Sequence, residues 1–63
     1  VLRYYVDGRV AYGAGLIEIE KNVYIYVRSN GVLATGKYWP TNSNGLLSPG
    51  VYNFGTDGKY VKG

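Results

Sequence analysis

The aromatic residues are the strongest functional candidates in this chain, and they are suited to non-covalent binding of a ligand. The 63 residues include eight Tyr, one Trp and one Phe. Tyr and Trp rings offer flat amphipathic faces on which a sugar ring can stack, while the phenol and indole groups hydrogen-bond to its hydroxyls. The alternative is that the same rings pack thin β-sheets. The candidate ligand-binding residues are Trp39, Tyr38, Tyr24, Tyr26 and Tyr52.

Trp39 is the leading candidate among these residues. It is the only Trp, and Pro40 follows it directly, which ends a strand or places it at a sheet edge. The polar stretch 41–50 comes next, and binding residues tend to collect in such loops. Trp39 and Tyr38 are therefore the leading candidates for contact with a ligand.

Catalytic residues are scarce. The chain has no His and no Cys, so a nucleophilic mechanism would need a Ser or Thr activated by Lys, and no such motif surrounds its Ser residues. Glu18 and Glu20 share one face of an expected strand, at a spacing that could suit two glycosidase carboxylates. A solvated strand face, protected from aggregation by its charges, is the interpretation we favour. We expect no enzyme activity, cofactor or metal.

The length and charge limit the class of protein. A chain of 63 residues buries only about 60% of its unfolded surface, and this chain has no disulfide or His-containing zinc site to support it. We therefore expect support from neighbouring repeats or chains. Seven Lys and Arg against four Asp and Glu give a net charge of +3, but the basic residues are dispersed singly. This pattern favours a soluble surface over a nucleic-acid-binding stripe, and we do not expect nucleic acid as a partner.

A membrane span is not expected. The longest uncharged stretch, residues 38–56, contains Pro40, Pro49 and many polar residues.

The segment from Val23 to Gly36 is typical of a β-hairpin, because a β-branched and aromatic run meets an Asn-Gly turn. A three-residue loop at positions 29–31 would place Val27 opposite Leu33 and Tyr26 opposite Ala34. Each face of the hairpin then gains an apolar cross-strand pair.

Three units with a Gly-containing turn recur along the chain. Their turn glycines are Gly8, Gly31 and Gly58, separated by 23 and 27 residues, which lies in the range of repeat arrays. We expect a two-residue turn in the first unit that pairs Val6 with Arg9. We expect the third unit to copy the second, with Phe54 and Tyr60 on the two sides of its turn.

Linking strands complete the predicted fold. Residues 15–20 alternate apolar and acidic side chains and should turn through positions 20–22 into Val23. Residues 37–39 should form a strand that Pro40 ends, and Leu46 and Leu47 should cover the sheet. No stretch has a helical period. The prediction is an all-β chain of about five to seven short strands, with consecutive β-hairpins stacked as a short solenoid or meander, and residues 1–63 as a single repeat module.

The second unit resembles the choline-binding and glucan-binding cell-wall repeats of bacterial surface proteins. The resemblance is carried by Gly15-Leu16-Ile17-Glu18-Ile19, by Tyr24-Ile25-Tyr26-Val27 and by the segment from Ser29 to Gly36, which ends in Ala-Thr-Gly. It implies a hairpin solenoid on a secreted or cell-surface bacterial protein, with the ligand held between hairpins. Choline is not expected, because a Leu stands at the Gly-Trp position of the family and offers no π face.

Three functions are consistent with the sequence. The first is a non-catalytic module, part of a larger surface protein, that binds cell-wall polymer or glycan through its aromatic residues. The second is a structural spacer or assembly repeat without a small ligand. The third is a small basic β-barrel that binds nucleic acid, which ranks behind because a barrel does not explain the turn spacing. Unpaired edge strands also predict a homodimer or continuation of the sheet into neighbouring repeats.

Overall fold

The computed structural model describes residues 2–62, and within them the regular elements are all β. None of the described segments is a helix able to cross a membrane. The strands are β1 Tyr5–Val6, β2 Arg9–Val10, β3 Gly15–Glu20, β4 Val23–Val27, β5 Lys37–Tyr38, β6 Tyr52–Asn53 and β7 Tyr60–Val61. They form three small antiparallel sheets, of order β1-β2, β3-β4-β7 and β5-β6. The predicted class and number of strands are confirmed.

Strand β4 is the centre of the fold. Its side chains alternate between two apolar clusters, one on each face of the central sheet. Tyr24 and Tyr26 enter the first cluster with Leu16, Ala34 and the fully buried Phe54. The residues of the second cluster are Ile25, Val27 and Leu33. A strand buried on both faces needs a continuous apolar run, and Val-Tyr-Ile-Tyr-Val supplies it.

Both edges of β4 are also occupied. Strand β3 pairs along one edge, from Gly15 opposite Val27 to Glu20 opposite Val23, with a bulge between Glu18 and Glu20. The other edge is shared by two segments. Strand β7 pairs with the start of β4, and the chain returning after the Asn30-Gly31 turn pairs with its end.

The predicted register of this second turn is confirmed. Val27 lies opposite Leu33, and the Ala34 N–H donates to the Tyr26 carbonyl at 3.0 Å. The turn is closed by the Asn30 side-chain oxygen, which accepts a hydrogen bond from the Val32 N–H at 3.0 Å. The first turn is confirmed as well, since Val6 pairs with Arg9 across Asp7 and Gly8, both of which have positive φ.

The prediction for the third unit is wrong. Phe54 and Tyr60 do not pair across a hairpin, because β6 pairs with β5 and β7 crosses over to pair with β4. The turn between them instead packs on the second unit, where a Cβ at Gly58 would lie 3.3 Å from Leu33. Phe54 is fixed by its N–H, which donates to the Gly36 carbonyl at 2.8 Å. Local similarity of the third unit to the second therefore did not determine its partner strand.

The loop after β5 closes part of the free edge of β3. The Leu16 N–H donates to the Asn42 carbonyl at 3.0 Å. The Asn44 amide donates to the carbonyls of Ala14, at 3.0 Å, and Leu16, at 2.8 Å. Gly15 permits this approach, since a Cβ there would lie 2.6 Å from the Asn42 side chain and its φ is +77°. The loop thus satisfies backbone groups that an edge strand would otherwise expose.

The other loop predictions hold in part. Strand β5 ends at Tyr38, before Trp39 and the buried Pro40. Leu47 packs against the first cluster, as expected, whereas Leu46 is exposed.

The packing of the N-terminal hairpin on the second turn predicts the effect of Gly31→Ala. A Cβ at Gly31 would lie 2.5 Å from Val10 Cγ1, and φ there is +82°. The substitution should cost about 1–2 kcal/mol of backbone strain and about 1–3 kcal/mol more from overpacking. The matched control is Gly45→Ala, where φ is +74° and nothing lies within 4 Å of the added Cβ. Equal losses in denaturant unfolding would contradict this close contact.

The role of Asn44 is tested by Asn44→Asp, which retains the shape of the side chain but replaces its two N–H donors by an acceptor. We expect a loss of about 1–3 kcal/mol in unfolding free energy, because two backbone carbonyls lose their partner. The control is Asn30→Asp, which retains the oxygen that accepts from Val32 and should be nearly neutral. A neutral Asn44→Asp variant would show that the loop does not protect β3.

Candidate ligand-binding surface

The ribbon formed by β5 and β6 has two faces of different character. Lys37 pairs with Asn53 and Tyr38 with Tyr52. Side chains alternate between the faces of a strand, so Tyr38 and Tyr52 point to one side and Lys37 and Asn53 to the other. Tyr38 and Tyr52 pack against the first apolar cluster, while Lys37 and Asn53 are exposed.

The exposed side continues beyond the paired strands. Trp39 and Val51 adjoin the last pair of the ladder, Tyr38 and Tyr52, and their side chains are exposed, at 54% and 58%. Along residues 35–39 and 51–53, exposed residues alternate with partly buried ones. We call this surface the outer face of the ribbon, and its residues are Thr35, Lys37, Trp39, Val51 and Asn53.

An open cavity of about 550 Å³ lies at the end of the outer face away from Trp39. Backbone hydrogen bonds hold its two walls together, because the Gly36 N–H donates to the Gly55 carbonyl at 2.8 Å and the Phe54 N–H to the Gly36 carbonyl at 2.8 Å. The lining presents hydroxyl, amide and backbone groups, which can donate and accept hydrogen bonds with a polar ligand. The lining residues are Thr35, Gly36, Asn53, Gly55 and Thr56.

Tyr38 and Tyr52 face the protein with most of their ring surface. The Tyr38 ring lies 5.1 Å from that of Tyr26, and the Arg28 guanidinium lies 5.9 Å from the Tyr38 centroid on an exposed flank. The Tyr52 ring meets Tyr60 edge to face at 4.9 Å, and its hydroxyl donates to the Ser48 carbonyl. Both side chains therefore fasten the ribbon to the central sheet.

Tyr24 and Tyr26, the other two candidates, lie in the core with 5% and 6% of their surface exposed. The Tyr26 hydroxyl hydrogen-bonds to Thr41 Oγ1 at 3.0 Å and accepts from the Asn42 N–H at 3.4 Å, so it anchors the loop after Trp39. The Tyr24 ring contacts that of Tyr60 at 6.1 Å. The structure brings four of the five candidates into one aromatic cluster and places Trp39 on the outer face.

Glu18 and Glu20 are exposed on β3 and separated by its bulge. Glu18 accepts a hydrogen bond from the Asn22 N–H at 3.0 Å, which supports the turn into β4. Burial, and secondarily the nearby Glu18 carboxylate, raises the pKa of Tyr24 above its ordinary value of 10.0. Within residues 2–62, no three His, Cys, Asp or Glu side chains are grouped so as to hold a metal ion.

No protein-family model, curated protein or solved structure matches this chain. The resemblance to cell-wall repeats is therefore carried by the motifs of residues 15–36 alone.

The sequence pointed to Trp39 but missed the residues around it. Thr35, Lys37 and Trp39 alternate with Gly36 and Tyr38, and Val51 and Asn53 alternate with Tyr52. Both period-2 patterns were available as signals. The two patterns define one shared surface only because β5 pairs with β6. The two strands are separated by 13 residues, 39–51, so local sequence patterns do not predict this pairing.

The pKa of Tyr24 predicts an alkaline loss of stability. The unfolded chain releases this proton near pH 10, whereas the folded chain retains it, so stability is intact below pH 10 and falls as the pH rises above it. Tyr24→Phe should reduce the slope of unfolding free energy against pH in this range. Tyr12→Phe, at an exposed position, is the control and should leave the slope unchanged. Identical slopes in wild type and Tyr24→Phe would contradict the assignment.

Proposed function

We propose that this chain is a non-catalytic module that binds glycan or cell-wall polymer on the outer face of the ribbon, with Trp39 as its stacking platform. The single observation that carries the proposal is the exposure of Trp39 at 54%, with Val51 at 58% beside the end of the paired strand. Large apolar side chains adjacent on a small surface are typical of interaction sites. A Trp ring suits the apolar face of a sugar and offers an N–H to its hydroxyls.

The surroundings of Trp39 support a carbohydrate over an apolar ligand. Thr35, Asn53 and Thr56 line the cavity at the other end of the outer face and offer two hydroxyl groups and one amide. Sugars present many hydroxyls that both donate and accept hydrogen bonds, as these side chains do. Aromatic stacking at one end and polar groups at the other therefore match the two chemical faces of a glycan.

The same proposal extends to the context of the chain. Following the resemblance of residues 15–36, we place the chain on a secreted or cell-surface bacterial protein, as one unit of an array of stacked hairpins. Each unit offers a small open surface and would bind weakly, and an array gains affinity by multivalency. Edge strands such as β7, where Val61 is exposed, suit contact with a neighbouring repeat or a second copy of the chain.

A structural spacer remains the second candidate, favoured by the burial of Tyr24 and Tyr26 and by the ring contacts of Tyr38 and Tyr52. In a spacer these rings would serve packing alone. Trp39 distinguishes the two candidates, because a spacer needs no exposed Trp facing solvent.

Trp39→Ala tests the proposal. We expect the wild-type chain to change its Trp fluorescence on titration with soluble glycans or cell-wall fragments, since Trp39 is the only Trp. Calorimetry should show binding weakened by about tenfold or more in the variant, because a stacking contact is lost.

Tyr5→Ala is the control, because it removes an exposed ring on β1 and should leave binding unchanged. Unchanged fluorescence with every glycan and wall fragment would favour the spacer and overturn the proposal. Equal weakening by both variants would place the binding site elsewhere.

A further inference from the structure

Lys37 occupies the middle of the outer face. Trp39 lies two residues further along the chain, about 7 Å away along an extended backbone, and on the other side Gly36, with a φ of +65°, separates Lys37 from Thr35. Asn53 stands opposite on the paired strand. Along the outer face, the apolar side chains of Trp39 and Val51 are therefore followed by the ammonium group of Lys37 and then by the polar cavity.

Resting on the proposed function, we propose that the outer face selects acidic glycans, with Lys37 binding a carboxylate or phosphate next to the sugar ring stacked on Trp39. An ammonium group on a flexible stem is a compact point charge that pairs well with either anion. The Asn53 amide, across the ribbon, can donate a hydrogen bond to the same group.

The charge distribution also sets the orientation of the anion along the outer face. Asp57 is near the cavity end, with its Oδ1 3.4 Å from the position of a Cβ on Gly55, and it accepts a hydrogen bond from the Lys59 N–H at 3.1 Å. A carboxylate there disfavours a second anion. The acidic group of the ligand therefore belongs at Lys37, and an uncharged sugar with free hydroxyls belongs at the cavity.

A glycan fits this surface better than single-stranded nucleic acid does. Nucleic-acid grooves combine several cations with a succession of rings on which consecutive bases stack. The outer face presents one ring, Trp39, and one cation, Lys37, while the other Tyr rings of the ribbon face the core. The remaining groups are hydroxyls and amides.

The experiment measures binding of the full chain to matched probes by Trp39 fluorescence. The probes are tetragalacturonate, its uncharged methyl ester and a galactotetraose that carries phosphate on O6, so that carboxylate and phosphate are separate arms on the same kind of sugar. We expect both anionic probes to bind at least about fivefold more tightly than the ester at low salt, and this preference to disappear in about 1 M salt.

Lys37→Gln should remove the preference and leave binding of the ester unchanged, whereas Lys37→Arg should retain it. The control is Lys21→Gln, which removes the same charge from the exposed β3–β4 turn and should preserve the preference. Circular dichroism of each variant confirms that it is folded. A preference for only one of the two anions would support the site and identify its anion.

Other results overturn the proposal in distinguishable ways. Equal binding of the ester and the acids by the wild type, or an equal effect of Lys37→Gln and Lys21→Gln, would reject selection of acidic glycans while leaving glycan binding intact. Absence of binding to all three probes and to the glycans tested above would reject the proposed function itself. Tighter binding of an oligothymidylate, with a steep salt dependence, would replace the glycan by nucleic acid.

Discussion

Burial of β4 on both faces and along both edges is the constraint on which the rest of this fold depends. A chain of 63 residues cannot enclose a deep core, so one strand must gather its contacts from every direction. Side chains of β4 enter both apolar clusters, and its backbone pairs with β3 on one side and with β7 and the 32–34 segment on the other. The other two sheets pack, directly or through neighbouring residues, against the apolar clusters that the side chains of β4 enter.

The choice of Tyr in this strand has a consequence for the surface. A Tyr ring fills more volume than an aliphatic side chain, and its hydroxyl can reach past the core to a polar partner. Tyr26 does both, because its ring is buried and its hydroxyl contacts Thr41 and the Asn42 N–H. The core thereby holds the loop that follows Trp39, and that loop in turn satisfies the Leu16 N–H on the edge of β3. Packing, edge protection and presentation of Trp39 are parts of one arrangement.

Turns were predictable from the sequence, whereas pairing between distant segments was not. Asp7-Gly8 and Asn30-Gly31 determine their hairpins because positive φ is required within the turn itself. Asp57-Gly58 has the same local chemistry, yet the residues after it pair with the edge of β4 away from β3, where the Tyr60 ring contacts that of Tyr24. The choice of partner depends on burial gained far along the chain. For the same reason the sequence singled out Trp39 but not Val51 and Asn53 opposite β5.

The two faces of the β5–β6 ribbon separate the side chains that pack against the core from those of the proposed ligand-binding surface. Tyr38 and Tyr52 attach the ribbon to the core through ring contacts, so substitutions there change folding. Lys37 and Trp39 alternate with them and are exposed, so packing does not constrain their identity, whereas the Asn53 side-chain oxygen accepts a hydrogen bond from the Gly55 N–H at 2.9 Å. A period of two residues thus lets one short ribbon pack against the core on one face and leave the other face to the proposed ligand. Because packing does not use the side chains of Trp39 and Lys37, the proposed contacts with a glycan place no demand on the core.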